Sequence, residues 1–259
     1  MRIFILVDME GISGICRSTQ VTPGTADYAA ARTFLTRDVN ACVQGCFEGG
    51  ATEVVVRDAH WAGFNLLWDD LDPRARYVQG RSLRERIPGI ADCSGLILLG
   101  YHAMAGTAAA ILEHTMSSAQ WQNLWMNGKK AGEVALDAGM AGDRGVPTIM
   151  VSGDDKLCRE ARALLPGVVA VQVKEGLDVE GGILLTADEA HRRIRNGAAR
   201  AVRKCRAIKP HKVRKPVTLR LELVSRGVVP VARENIKVID GRTFEVKART
   251  VEEALNMLL

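Results

Sequence analysis

The sequence predicts an α/β protein, a mostly parallel sheet flanked by helices with a smaller C-terminal α+β subdomain. Three observations carry this expectation. Apolar runs without alternation, such as IFILV and GLILL, suit strands buried on both faces of a sheet. Helix signals separate these runs, which is the βαβ rhythm of parallel strands. After about Lys209 the style changes to alternating strands joined by tight turns. The expected division is residues 1–208 as an α/β domain and 209–259 as the smaller subdomain.

Taken in order, Ile3–Asp8 is the first strand, followed by a Gly-rich loop. A helix from about Ala26 to Phe47 ends at the Gly49-Gly50 stop. TEVVVRDAH reads as the second strand. A helix-prone segment around Asn65–Leu71, a short strand near Tyr77 and a helical turn at SLRERI lead to the third apolar run, GLILLGYHA. An interruption follows, in which Trp121, Asn123 and Trp125 share one alternating face and Asn127-Gly128 signals a hairpin. Gly132 opens a small-residue helix. VPTIMVSGDD is the fourth strand, and its Asp154 and Asp155 can cap the helix KLCREARALL. A long helix spans about Ala187 to Ala207. PVTLRLELVS alternates cleanly, VIDGRTFEVKA carries Asp240-Gly241 as a second hairpin turn, and VEEALNML is the terminal helix.

Composition narrows the function classes. A chain of 259 residues can bury a core as one large domain or two unequal ones. No stretch approaches the roughly 20 apolar residues that span a bilayer. The first apolar run ends in acids rather than a small-residue cleavage site, so a cytoplasmic location with no membrane partner is expected. Six scattered cysteines without a CxxC pair read as reduced thiols. Much of the net charge of +5 gathers in RKCRAIKPHKVRK, from Arg203 to Lys215. That stretch reads as a solvated helix end and loop. It lacks aromatic interleaving for base stacking and any nucleic-acid motif, so no nucleic-acid partner is expected. An anion- or nucleic-acid-binding module built on it is the alternative from a different class.

Chemistry concentrates where apolar strands end. The first runs into Asp8 and Glu10, the second into Asp58 and His60, the third into His102. Ligands of open α/β sheets bind in the crevice beyond the carboxyl ends of the strands, so these side chains can converge. Burying an unpaired carboxylate costs several kcal/mol, roughly, unless a cation or water meets it. Imidazoles are the commonest neutral metal ligands. With Glu133 at the start of the small-residue helix, three carboxylates and two histidines can hold two divalent ions, one carboxylate bridging. Blander readings stand beside this one: Asp8 as a strand-end cap, and Asp58 paired with His60. Asp58, two before His60, reads as a support for the ligands rather than a ligand. His191 and His211 read as solvent-exposed.

VDMEGISG, RDAH, GYHA, EHTM and GEVALDA, in this order and spacing, resemble the M55 family of zinc D-aminopeptidases. The resemblance runs along most of the chain and is strongest from Met1 to about Asp155. It implies a dinuclear zinc site, two Zn²⁺ per chain, whose ligands match Asp8, Glu10, His60, His102 and Glu133. It also matches His114 to the family's catalytic histidine. The implied reaction is hydrolysis of short peptides with an N-terminal D-amino acid. His114 is then either a nucleophile or, the preferred reading because a metal-activated water makes imidazole attack on an amide unnecessary, a group that moves a proton or stabilises the tetrahedral oxyanion. The implied assembly is a cytoplasmic homodecamer, two pentamers stacked around a central channel. A metallohydrolase of another amide or ester, with the same site, is the alternative among enzymes. AMAGTAAAILE is Ala-rich and the region around Glu175–Leu185 Gly-rich, and those segments are expected to shape the pocket.

Overall fold

The computed structural model describes residues 1–259 apart from Arg81, Leu83 and Arg84. In chain order its first half comprises β1 (Arg2–Val7), α1 (Ala26–Glu48), β2 (Glu53–Asp58), β3 (Arg76–Val78), β4 (Gly95–Leu99), β5 (Trp121–Met126), β6 (Lys129–Lys130) and α2 (Glu133–Asp143). Next come β7 (Thr148–Asp154), α3 (Asp155–Leu164), β8 (Val169–Asp178), β9 (Gly181–Leu184) and α4 (Ala187–Lys204). β10 (Val217–Leu223), β11 (Ile236–Val238), β12 (Thr243–Ala248) and α5 (Val251–Asn256) complete the chain.

Seven strands form one sheet, ordered β3-β2-β1-β4-β7-β8-β9, parallel throughout except for the β8–β9 hairpin at its edge. β1 shows why its run does not alternate. Ile3, Ile5 and Val7 pack with α1 and α4 residues such as Leu35 and Ile194, while Phe4 and Leu6 join a second core on the opposite face. The chain leaves β1 to build β2 and β3 on one side, then crosses to β4 and β7 on the other. β1 and β4 therefore border the topological switch point, where such sheets place their ligands.

A second, antiparallel sheet has the order β11-β12-β10-β5-β6. The Asn127-Gly128 hairpin thus joins the strands that follow residue 216, and the core under this sheet combines Phe4 and Leu6 with Leu124, Leu219, Val246 and Leu255. Asp154 caps α3 as expected, accepting from Leu157 N at 2.8 Å.

Several local expectations are corrected. Asn65–Leu71 is not an α-helix. Only Trp68–Asp70 make a single 3₁₀ turn, because Asp58 takes the Asn65 and Leu66 amides and Pro73 disfavours helical backbone at Asp72. Trp121 does not share a face with Asn123 and Trp125. Opposite Glu222–Leu223 the β5 register shifts, and this bulge turns Trp121 to the core side with Leu124 and Met126. The long helix ends at Lys204 and tightens into a 3₁₀ turn over Cys205–Ala207. The turn expected at SLRERI falls partly on Leu83 and Arg84, outside the described residues. Among the described residues no helix is long and apolar enough to cross a membrane.

Candidate metal centre

The site follows from strand register. Val7 pairs with Asp58 on one side and Leu99 on the other, so β1, β2 and β4 end level. The ladder continues past those ends, with Asp8 N donating to Leu99 O at 2.9 Å and Ala59 N to Val7 O at 2.9 Å. Asp8, Glu10, His60 and His102 are thereby brought together, all buried. The turn after β1 passes the end of β4 closely enough that a Cβ on Gly11 would sit 1.8 Å from Tyr101 O. Gly100 sits at φ +71°, where any other L-residue is strained.

Asp8 lies between two imidazoles. Its Oδ1 is 3.2 Å from His60 Nδ1 and its Oδ2 is 3.3 Å from His102 Nε2. Glu10 Oε2 approaches His60 Nδ1 at 3.3 Å, and Glu133, from the first turn of α2, approaches His102 Nε2 at 3.4 Å. His114 is half-buried, with its Nε2 3.9 Å from the same Glu133 oxygen and its ring stacked on His102. The candidate ligand atoms fall into two groups, Asp8, Glu10 and His60, and His102, His114 and Glu133. Within each group they lie within 4.8 Å of one another.

The hydrogen bonds of the three rings define what the arrangement is for. His60 Nε2 is 2.8 Å from Val21 O, His102 Nδ1 is 3.1 Å from Ala103 O, and His114 Nδ1 is 2.9 Å from Leu112 O. A carbonyl only accepts, so each of these nitrogens carries a ring proton, and the opposite nitrogen turns toward a carboxylate, where a second proton or a metal ion can lie. Lone pairs and carboxylate oxygens face to face repel unless a proton or a cation lies between. Glu10 Oε2 and His102 Nε2 are buried with no hydrogen-bond partner. The separations of 3.2–3.4 Å also match a cation with donors about 2.0–2.1 Å away, whose tetrahedral edges measure about 3.3 Å. The donor set therefore fits zinc.

The electrostatics agree. Burial lowers the pKa of both His60 and His102, but the adjoining carboxylates outweigh it and raise both well above the ordinary value. Burial raises Asp8, yet hydrogen bonds to His102 and His60 hold it well below the usual carboxylate range. Glu133 is pulled down to about 2 against its burial, chiefly by His102. This is a cluster of anions calling for positive charge.

A further set of residues fixes these side chains. Asp58 does not pair with the His60 ring. It accepts from Asn65 N at 2.6 Å and Asn65 Nδ2 at 2.8 Å, and Asn65 Nδ2 also donates to His60 O at 2.8 Å. Lys174, buried on β8, donates to the carbonyls of Glu10, Ile12 and Ile15 at 2.6, 3.0 and 2.6 Å and so clasps the loop that bears Glu10. Arg86 reaches Glu133 and the buried Asp137, to which Tyr101 OH also donates at 2.7 Å. His191 is half-buried rather than exposed, 3.3 Å from Asp38, which in turn accepts from Ser13 N and Oγ. His211 is also half-buried. Sequence reasoning missed Lys174, Arg86 and Asp137. For Asp137 one signal existed: it stands four residues after Glu133 on a helix of small residues.

The cluster opens into a cavity of about 630 Å³ that Asp8, Glu10, His60, His114 and Glu133 line. Leu112 and Glu113 from the Ala-rich segment and Val179 and Glu180 from the β8–β9 turn form part of its wall, as expected for those segments.

Fold and site together define a hydrolase of the metallopeptidase class. Residues 1–259 match the model of Peptidase M55, described as D-aminopeptidase, and the chain belongs to that family. It is 34% identical over 212 residues to the D-aminopeptidase of Bacillus subtilis (strain 168), covering 81% of this chain and 77% of that protein. Among solved structures it resembles the Zn-dependent D-aminopeptidase DppA from Bacillus subtilis, a self-compartmentalizing protease. That match has a TM-score of 0.93 and 29% identity, over 100% of this chain and 95% of that one.

Proposed function

We propose that this protein is a zinc-dependent D-aminopeptidase that hydrolyses short peptides carrying an unblocked N-terminal D-residue. Asp8, Glu10, His60, His102 and Glu133 would hold two zinc ions, with Asp8 facing both. The observation that supports this most is the set of imidazoles that donate to backbone carbonyls with one nitrogen and turn the other toward carboxylates. Bound zinc supplies an activated water, its pKa lowered from 15.7 to roughly 7, and polarises the scissile carbonyl. The chain's own residues do the rest. Val21 O and Ala103 O fix the tautomers of His60 and His102. His114, its Nδ1 proton held by Leu112 O, presents Nε2 at the cavity to move a proton or steady the tetrahedral oxyanion. A cytoplasmic homodecamer of two stacked pentamers is the proposed assembly, supported by the relative that is a self-compartmentalizing protease.

The binding-module alternative has less support: three of the seven cations of the basic stretch are engaged within the chain, Lys212 donating to Gly142 O, Lys215 pairing with Asp143 and Arg203 donating to Glu48 O.

Metal analysis beside peptidase assays on paired enantiomers tests the proposal. A free amine and a carbonyl anchored at the centre fix two points of the substrate, and Cα chirality then decides which wall the side chain meets. A misplacement of about 1 Å can cost 10²-fold. D-Ala-D-Ala should be cleaved far better than L-Ala-L-Ala, and acetylating the amine should abolish turnover. Equal or better cleavage of the L-peptide refutes D-specificity.

A further inference from the structure

Arg86 is the one Arg or Lys among the described residues that line the cavity, and it shares that wall with Asp8, Glu10 and Glu133. A free guanidinium beside three carboxylates would collapse onto them. Here its Nε and Nη2 are bound at 2.7 and 3.1 Å to the two oxygens of Asp137, so that only Nη2 reaches the cluster, through Glu133. Asp137 is fully buried and is itself oriented by the Tyr101 hydroxyl. Nη2 also touches Glu133 Oε2 at 3.3 Å, and the backbone N of Arg86 donates to Glu252. The guanidinium bonds described leave from Nε and Nη2, and none of them to a described residue is made by Nη1. The arrangement is a planar fork aimed by a buried anchor.

We propose that the Nη1 edge of Arg86 is a substrate-binding group that receives an anionic oxygen of the peptide, next to the metal centre. This rests on the peptidase reading and deepens it. Two oxygens have the required chemistry: the C-terminal carboxylate of a short peptide, and the oxygen that gains charge as the scissile carbonyl is attacked. Asp137 is the positioning residue. It holds the guanidinium by its Nε–Nη2 edge and shares with Glu133 the charge that would otherwise fall wholly on the cluster.

Arg86→Gln and Arg86→Lys separate the possibilities, the lysine retaining one ion pair with Asp137 should the glutamine variant fold poorly. Zinc per chain, the melting temperature of the metal-free protein, calorimetric affinity for D-alanine, and kinetics on D-Ala-D-Ala and its C-terminal amide are measured for each. With zinc held at a concentration that saturates each variant, because Arg86 also braces Glu133, D-alanine affinity is expected to fall by about 10- to 100-fold, the range of a charge-assisted hydrogen bond. A matching rise in KM on the free peptide but not on the amide assigns the C-terminal carboxylate. A fall in kcat of about 10² on both assigns the scissile oxygen. Unchanged D-alanine affinity, with or without loss of zinc or of melting temperature, makes Arg86 a structural brace and overturns the proposal. A wild type that binds D-alanine through Arg86 but cleaves no D-peptide sinks the peptidase reading instead and leaves this one standing.

Discussion

The rings of His102 and His114 stack 4.0 Å apart and 9° from parallel, each held by a backbone carbonyl on its Nδ1. They are not equivalent. His102 is buried between Asp8 and Glu133, whereas His114 faces the cavity and approaches Glu133 only to 3.9 Å. On the proposed assignment, the stack makes the ligand ring of His102 a platform that orients His114.

His114→Ala is therefore expected to leave zinc content near normal while lowering kcat by about 10² to 10⁴, the range for a lost acid–base group. Atomic absorption on the kinetically characterised variant decides the matter. Loss of one zinc would make His114 a ligand, and unchanged turnover would make it a bystander.

Wild-type protein should carry close to two zinc ions per chain, and Asp8→Ala should lose most of both, because each Asp8 oxygen faces a different imidazole. His60→Ala and His102→Ala should weaken binding less uniformly. Full occupancy in Asp8→Ala would falsify the bridging role.

Asn65→Ala should act on the metal from a distance. The substitution leaves Asp58 short of its amide donor and frees the carbonyl of His60. A buried acceptor left unpaired costs about 1–3 kcal/mol, and losing such a support typically costs 10- to 100-fold in metal affinity. Chemical denaturation and competitive chelation read the two effects separately. A variant as stable and as tightly loaded as wild type would remove Asp58 and Asn65 from the account.

Glu160 gives the metal-free protein a pH dependence. Its carboxylate accepts from Met104 N at 2.9 Å, and burial pushes its pKa up to about 7 from an ordinary 4.5. A carboxyl raised on folding contributes stability that is fully present below pH 4.5 and is lost as pH rises through about 7. At 1.36 kcal/mol per pKa unit the loss is at most about 3 kcal/mol, less because Glu160 is only partly enclosed. Glu160→Gln should melt higher than wild type at pH 8 and like it at pH 4.5. Parallel melting curves across that window would contradict the assignment.

How much was legible in the sequence differs by residue. Asp8, Glu10, His60 and His102 were readable because each follows a buried strand, and level strand ends gather whatever follows them. Arg86 and Lys174 were not, since a cation alone in a sequence does not reveal that its partners are Asp137, 51 residues on, or carbonyls near residue 12, more than 150 residues back. The misread elements share one cause. Asn65–Leu71 carries helical residue types, but Asp58 takes two of its amides; β5 alternates in sequence, but a bulge reverses the facing of Trp121. Side-chain capture of backbone donors and register shifts depend on partners elsewhere in the chain, which periodicity does not see.

The Lys174 clasp sets an order of events during synthesis. Asp8, Glu10, His60, His102 and Glu133 all emerge before residue 134, whereas the ammonium that fixes the Glu10 loop lies on β8. A nascent chain thus carries every proposed zinc ligand while the carbonyls of Glu10, Ile12 and Ile15 are still without their donor. On the proposed ligand assignment, a settled Glu10 loop waits until β8 has been made and Lys174 has docked, well after the last ligand has left the ribosome.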